Sequence, residues 1–307
     1  MLGLPQGLED SVDLTVIVLN WNTRNDLRAC LASLVGQQHE HAIEIIVADN
    51  ASADGSREMV AAEFPQVRLV VHSQNLGFCA GNNRAVPDNP GRYVLFLNAD
   101  TRVTHCALDT LIRFADEHPD AGIVGPRLLN LDGSLQYSCR RFPNLGVGFF
   151  RNTLLGRLFP RNRFTQDYLM ADWDHSTPRD VDWVSGAALL IRREVLRATG
   201  GFDEGFYMYC EDVDLCYRVH ELGWRVMYCP AAVIYHAIGR SSDQVPTRAT
   251  YAFHRSMYRF YRKHYARKTP WFVRPLILPG LVLRASGQIV RYRWRNLKRR
   301  WAQRRKH

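Results

Sequence analysis

The feature that most constrains the fold is a rhythm in the first hundred residues. Four short apolar runs alternate with polar, helix-compatible stretches: LTVIVL at 14–19, IEIIVA at 43–48, RLVV at 68–71 and YVLFL at 93–97. Nearly continuous apolar runs of this length suit parallel strands covered on both faces. Between the first two, Leu27, Cys30, Leu31 and Leu34 stand at helical spacing. Residues 56–63 form a second candidate helix that Asp54 is placed to cap, and Asn83–Val86 lies near the end of a third. This alternation predicts an α/β protein built on an open sheet with right-handed crossovers.

After residue 100 the pattern loosens. A helix through 105–118 leads to GIVGP, and a loop-rich stretch runs from Asn130 to Asp180. WVSGAALLI at 183–191 reads as one apolar strand, and a helix follows from about Glu211 to Leu222. RVMY at 225–228 reads as a short strand of its own, ahead of the apolar run Ala231–Tyr235. From Thr250 onward the chain reads as helices rich in arginine and aromatics.

Composition removes whole classes. With 46% hydrophobic and 23% charged residues over 307 positions, the chain is ordinary for a globular protein, which excludes disorder, collagen and rod-like coiled coils as whole-chain readings. Seven cysteines with no C-x-x-C pair argue against a disulfide framework or zinc cluster and favour a reducing cytoplasm. The N-terminus lacks the basic and apolar regions of a signal peptide. No uninterrupted apolar run approaches ~18 residues, so no spanning helix is expected. The net charge of +10 hides an asymmetry: residues 240–307 hold 19 Lys/Arg against one acid, Asp243, and the remainder of the chain is net acidic.

In an open α/β sheet, ligands bind beyond the C-terminal ends of the strands, and polar clusters stand at all four. Strand one ends in Asn20-Trp21-Asn22, strand two in Asp49-Asn50-Ala51-Ser52-Ala53-Asp54-Gly55, and strand four in Asn98-Ala99-Asp100. Strand three leads to Asn75-Leu76-Gly77-Phe78 and Gly81-Asn82-Asn83. Any one cluster is an ordinary turn; four in succession converge on one crevice. Asp100 either holds a divalent cation against a diphosphate or caps a helix beginning near Thr104. Asp49 and Asp54 either accept hydrogen bonds from a nucleobase or ribose or form turns and caps. Further on, Glu211, Asp212 and Asp214 crowd a helix start. Acids are favourable there in any case; the functional alternative is a general base whose neighbour raises its pKa. His236, at the end of Ala231–Tyr235 and followed by Gly239-Arg240-Ser241, is either structural or a metal or phosphate contact.

Taken in order, VIVLNWN, DNASADG, NLGFCAGNN, LNAD, WVSGAALLIRR, GFDEGFYMYCEDVDLC and VIYHAIGRS resemble glycosyltransferase family 2, and more narrowly its bacterial rhamnosyltransferase-like members. The resemblance covers about residues 13–241. It implies a GT-A fold, a Rossmann-like open mixed sheet flanked by helices, here with a basic C-terminal helical extension. It implies a nucleotide-sugar part at 13–102 and an acceptor part at 103–241; the charge pattern adds a basic amphipathic tail at 242–307. By the same resemblance Asn98-Ala99-Asp100 takes the place of the D-x-D metal motif. Asp100 and His236 then hold Mg²⁺ or Mn²⁺. Asn20, Asp49, Asp54, Asn75, Gly77, Asn82 and Asn98 fall at the nucleotide sugar. Asp212 is the catalytic base beside Glu211, and Trp183 and Gly186 line the acceptor pocket. The implied reaction is a single, inverting displacement from a nucleoside-diphosphate sugar, first choice dTDP-rhamnose with UDP-linked hexoses behind it. The acceptor is a lipid-linked or polysaccharide hydroxyl in cell-surface glycan assembly.

Two other readings compete. A nucleotidyltransferase would want a Gly-Arg-rich phosphate loop after strand one, where Asn20-Trp21-Asn22-Thr23 stands. The tail, with arginines and lysines interleaved with Tyr292, Trp294 and Trp301, has the chemistry to bind nucleic acid. It reads better as a membrane-surface helix, because Val290, Trp294, Leu297 and Trp301 share one helical face. The expected location is therefore cytoplasmic, peripheral to the inner face of the plasma membrane, with an anionic surface as partner rather than nucleic acid.

Overall fold

The computed structural model describes residues 12–151, 153–237 and 246–304. The Gly239-Arg240-Ser241 end of the histidine motif and the division drawn at 241/242 lie outside the described residues.

The first half runs β1 (Leu14–Asn20), α1 (Arg24–Val35), β2 (Ile43–Asp49), α2 (Ser56–Glu63), β3 (Arg68–Val71), α3 (Gly77–Asn83), β4 (Tyr93–Asn98), β5 (Thr101–Val103), α4 (Ala107–Glu117) and β6 (Ala121–Leu129). Then come β7 (Cys139–Arg140), α5 (Leu145–Phe150), α6 (Leu154–Leu158), α7 (Arg163–Leu169), β8 (Arg179–Asp180), β9 (Trp183–Val184), β10 (Ala188–Arg192) and α8 (Arg193–Thr199). The chain continues through α9 (Glu211–Glu221), β11 (Arg225–His236), α10 (Pro246–Phe260), a π-helical turn (Tyr261–Tyr265) and α11 (Arg274–Arg304).

The main sheet has the order β3-β2-β1-β4-β10-β6-β11-β5, with β8 also pairing with β11. β1 to β4 pair in parallel, β10 runs antiparallel to β4 and β6, and β11 is parallel to β6. This is the open mixed α/β sheet expected. The unbroken apolar runs have a direct cause, because the sheet separates two cores. Leu14, Val16 and Val18 of β1 face α1 through Leu27, Leu31 and Leu34, whereas Ile17 faces the other side with Ile46 and Phe96. A strand covered on both faces is dominated by apolar residues; the buried Thr15 of β1 is satisfied by Gly91 N–H at 2.9 Å.

Three readings are corrected. WVSGAALLI is not one strand: β9 pairs with β7 in a separate ribbon, a turn follows at Ser185–Ala187, and only β10 joins the main sheet. RVMY and the run after it are one strand, β11, which keeps its pairing with β6 through a register shift between Cys229 and Val233. The bulge absorbs Pro230, which has no N–H for a ladder. The stretch from Asn130 to Asp180 holds three short helices, each started by a side chain: Asn144 accepts from Val147 N, Thr153 from Gly156 N and Asn162 from Thr165 N. Helices this short show no periodicity, and the caps were the only signal.

The beginning of the basic tail is fastened to the acidic body. Asp203 binds Arg259 and Lys263, each at 2.8 Å. The fully buried Asp214 binds Lys263 at 2.7 Å and His264 and Arg218 at 2.8 Å. Burial alone would raise the pKa of Asp214, but His264, Lys263 and Arg218 hold it below the ordinary carboxylate value. Phe260 and Tyr261 are buried with this network. Beyond it, Trp271 and Phe272 ahead of α11 and Leu276, Leu283 and Trp294 within it are exposed.

Candidate active site

The loops after β1 and β2 are built by a buried polar network. Asn20 Nδ2 donates to Asp49 Oδ1 and to Ser52 Oγ, both at 3.0 Å, and its Oδ1 accepts from Thr23 at 2.7 Å. Asp49 Oδ2 takes Ser52 N–H at 2.9 Å, and both Asn20 and Asp49 are fully buried. Asp54 takes the backbone N–H of Arg24 at 2.8 Å and of Ser56 at 3.1 Å, joining the starts of α1 and α2. Asn82 is buried in α3 and donates back to Phe78 O at 3.0 Å. In this structure Asn20, Asp49 and Asp54 bond within the loops, while Asn82 donates to Phe78 O and its Oδ1 is buried with no hydrogen-bond partner. The bonds joining Asn20, Asp49, Ser52 and Thr23 rigidify the loops after β1 and β2.

Asn75 and Gly77 bind the two halves of the chain together. Asn75 Oδ1 accepts from Gly77 N at 2.9 Å and from the Tyr207 hydroxyl at 3.2 Å. Phe78 N donates to Tyr207 O at 2.9 Å. Gly77 has φ +80°, and a Cβ there would lie 2.6 Å from Tyr207 O. Both the left-handed backbone and the close approach demand glycine.

At the end of β4 the structure joins Asp100, Asn98 and His236. Thr101 pairs with His236 across β5 and β11, so Asp100 falls beside the histidine. Asp100 Oδ1 lies 3.3 Å from His236 Nε2, and Asn98 Nδ2 lies 3.4 Å from the same nitrogen. Asp100 does not cap a helix, since β5 intervenes and α4 begins only at Ala107. Sequence reasoning missed Gln136. Its Nε2 donates to Asn130 Oδ1 at 2.9 Å and His236 O at 2.7 Å, which leaves Oε1 facing His236 Nδ1 at 3.0 Å. Oε1 is an acceptor, so Nδ1 carries the proton and the Nε2 lone pair points at Asp100.

These residues fit a divalent cation. A carboxylate oxygen and an imidazole nitrogen 3.3 Å apart are spaced like neighbouring ligands on one octahedral ion, about 3 Å at bond lengths near 2.1 Å. The outer hydrogen bond from Gln136 is the kind that orients a ligating histidine. Among the described residues no third His, Cys, Asp or Glu completes a cluster, which suits an ion that takes its other ligands from phosphate and water.

The acids of α9 lie across a short bridge. Asn98 N donates to Ala187 O at 2.9 Å, and the adjoining Gly186 N donates to Asp212 Oδ2 at 3.0 Å. Val213 N donates to Asp212 Oδ1 at 2.8 Å. Glu211 is buried, and its Oε2 has no partner. Burial pushes both carboxyls up, and Glu211, beside the Asp212 charge, is raised well above the ordinary value. Glu211 is therefore the member that keeps its proton, and Asp212, fed by two N–H donors, is the one that ionises. Tyr209 and Cys210, with φ of 71° and 63°, precede this pair. Two consecutive non-glycine residues in the left-handed region cost about 1–2 kcal/mol each, strain of the sort stored at functional sites. Trp183 is buried, donates Nε1 to Arg141 O at 2.9 Å and lies under the Arg140 guanidinium, 5.0 Å from the ring centroid.

Residues 12–263 match the family described as Glycosyltransferase like family 2. The chain belongs to glycosyltransferase family 2. It is thus a glycosyltransferase, and its sheet is that of the GT-A fold. Over 300 residues this family 2 enzyme is 33% identical to the N-acetylglucosaminyl-diphospho-decaprenol L-rhamnosyltransferase of Mycobacterium tuberculosis, covering 94% of this chain and 96% of that protein. Among solved structures it resembles the mannosyltransferase PcManGT of Pyrobaculum calidifontis in complex with GDP-Man and Mn²⁺. The TM-score is 0.54 at 18% identity, over 92% of this chain and 80% of that one. It also resembles GalNAc-T7 with UDP, GalNAc and Mn²⁺, with a TM-score of 0.57 at 13% identity over 75% and 44%.

Proposed function

We propose that this family 2 enzyme is a metal-dependent, inverting rhamnosyltransferase. It moves rhamnose from a nucleoside diphosphate, with dTDP-rhamnose the first candidate, to a hydroxyl of a lipid-linked saccharide. The observation that supports the reading is the bridge from Asn98 through Ala187 and Gly186 to Asp212, which links the strand end carrying Asp100 and His236 to a carboxylate held by two N–H donors. The 33% identity to a rhamnosyltransferase with a lipid-linked acceptor, over nearly both full lengths, supports the choice of sugar and acceptor.

Asp212 accepts the proton of the acceptor hydroxyl as that oxygen attacks the anomeric carbon, and the nucleoside diphosphate departs from the opposite face. Glu211, protonated beside it, keeps negative charge from doubling where the acceptor binds. Asp100 and His236 would hold a divalent cation, which supplies charge neutralisation at the departing diphosphate. No covalent enzyme intermediate is required. Because no helix among the described residues is long and apolar enough to cross a membrane, the exposed apolar and basic α11 is proposed to lie on an anionic membrane surface at the cytoplasmic face, where the acceptor is held.

The test is release of free nucleoside diphosphate from a panel of nucleotide sugars, with Asp212→Asn alongside. Release from dTDP-rhamnose in the wild type and its loss in the variant are expected. Release confined to another donor would replace rhamnose, and pyrophosphate as product would remove the glycosyl-transfer chemistry.

A further inference from the structure

Arg140 and Arg151 stand against the Tyr168 ring and Arg284 of the tail reaches Arg151, and among the described residues none of the three forms an ion pair with an acid. Arg140 of β7 stands with its guanidinium carbon 5.7 Å from the centre of the Tyr168 ring, and Arg151 after α5 stands 4.8 Å from the same ring. Arg284 of α11 reaches across from the tail, donating to Gly148 O at 3.1 Å and Arg151 O at 2.9 Å. The Nε atoms of Arg140 and Arg284 are buried with no hydrogen-bond partner. Among the described residues no carboxylate lies within ion-pair distance of any of the three, whereas Arg28, Arg92, Arg113, Arg218 and Arg225 each hold one. Burial, aided by repulsion from Arg140 and Arg284, pulls the pKa of Arg151 below the ordinary arginine value. Three half-buried guanidiniums held close together without an ion pair repel one another, and their bonds to the Tyr168 hydroxyl and to the Gly148 and Arg151 carbonyls carry no balancing charge. Such a set is matched by a group with several anionic oxygens, which guanidinium forks bind with directed, charge-assisted bonds.

The position selects which anion. Arg140 pairs with Trp183 across β7 and β9, and its charge acts on Asp212, so the cluster borders the acceptor side of the crevice. The donor diphosphate has its own place at Asp100 and His236, on the other side of the Gly186 bridge. Arg284 belongs to the helix whose neighbouring Leu283 and Val282 are exposed, as are Leu155, Leu158 and Phe159 on and after α6. We infer that Arg140, Arg151 and Arg284 bind the phosphate or diphosphate that joins the acceptor's sugar to its lipid chain. The sugar then reaches Asp212 and the chain leaves along the exposed apolar residues of α11 and α6. This inference rests on the acceptor class proposed above, and it explains why a tail residue enters the catalytic unit at all.

The experiment measures binding of farnesyl diphosphate, inorganic pyrophosphate and phosphatidylglycerol vesicles to the full chain in EDTA, so that metal-dependent donor binding does not contribute. Wild type, Arg151→Gln and Arg284→Gln are compared, with Arg151→Lys and thermal melts as controls for folding. Farnesyl diphosphate should bind the wild type, be displaced by pyrophosphate, and bind each Gln variant about 10- to 100-fold more weakly, the loss expected for one charge-assisted contact. Unchanged farnesyl diphosphate binding in folded variants overturns the inference. So does a loss confined to phosphatidylglycerol vesicles, which would make the cluster a bilayer contact. If a Gln variant does not fold, displacement of farnesyl diphosphate from the wild type by pyrophosphate decides the matter: displacement supports the site and its absence overturns it. Because this binding is read without any donor, it can fail while rhamnosyl transfer stands, and the reverse.

Discussion

Gln136 fixes the tautomer of His236. The Gln136 amide nitrogen is committed to oxygen acceptors, so its oxygen must take the Nδ1 proton of the histidine at 3.0 Å, and Nε2 is left as a lone pair 3.3 Å from Asp100. A hundred residues of chain separate the two partners. Their contact leaves Nε2 of a histidine at the end of β11 facing the Asp100 carboxylate.

Replacing Gln136 with Leu should therefore weaken Mn²⁺ binding by about 10- to 100-fold, the usual effect of losing an outer hydrogen bond to a ligating histidine. Titration calorimetry with MnCl₂ and nucleoside diphosphate reads it directly. An unchanged affinity would return His236 to a structural role.

Asp100→Ala and His236→Ala should each abolish transfer at ordinary metal concentrations, and EDTA should do the same to the wild type. Raising Mn²⁺ should rescue His236→Ala in part. Full activity in EDTA would show that this family 2 enzyme works without metal.

Within the acidic pair, Asp212→Asn should lower transfer by ~10²- to 10⁴-fold, the range for loss of a general base. Glu211→Gln should stay within about tenfold of wild type, because Gln reproduces the neutral form that burial already favours. Burial raises Asp212 above its ordinary value of 3.8, so activity should rise with pH through an acid limb placed above that value. A Glu211→Gln enzyme more damaged than Asp212→Asn would reverse the two roles.

The clamp between body and tail should be acid-labile. Partial burial opposes ionisation of Asp203, but Lys263, the Gly205 N–H and Arg259 bring its pKa down to about 2. A depressed carboxylate contributes stability that is present above its unfolded pKa and is lost as pH falls through the folded one. Stability should thus decline from about pH 4 towards pH 2, as urea melts at stepped pH would show. Asp203→Asn should be less stable at neutral pH and should decline less steeply.

Deleting residues 271–307 should release the protein from anionic liposomes and leave the body folded, since the clamp through Asp203 and Asp214 ends at His264. Each cation near such a surface contributes ~1 kcal/mol, and salt screens the attraction. Sedimentation with anionic but not neutral liposomes should fall as salt rises. Equal sedimentation of full-length and truncated chains would remove the membrane role, and tight binding of the tail to nucleic acid would install the other reading.

The sequence by itself determined the family and the open mixed sheet. Strands covered on both faces are dominated by apolar residues, so β1, β2 and β4 announced themselves, while the choice of Asp212 among Glu211, Asp212 and Asp214 came from the family resemblance. Local signals failed where pairing partners decide. Whether WVSGAALLI is one strand depends on β7, which takes its first two residues into another ribbon; whether Pro230 ends a strand depends on β6, which pairs on past the bulge. The same limit applies to roles. That Asn20 and Asp49 share Ser52, and that Asn82 donates back to Phe78, is visible only in the folded chain. Gln136 and the arginines around Tyr168 carry no local pattern at all. A tautomer or an uncompensated charge is a relation among groups far apart in the chain, and it exists only once the tertiary structure has brought them together.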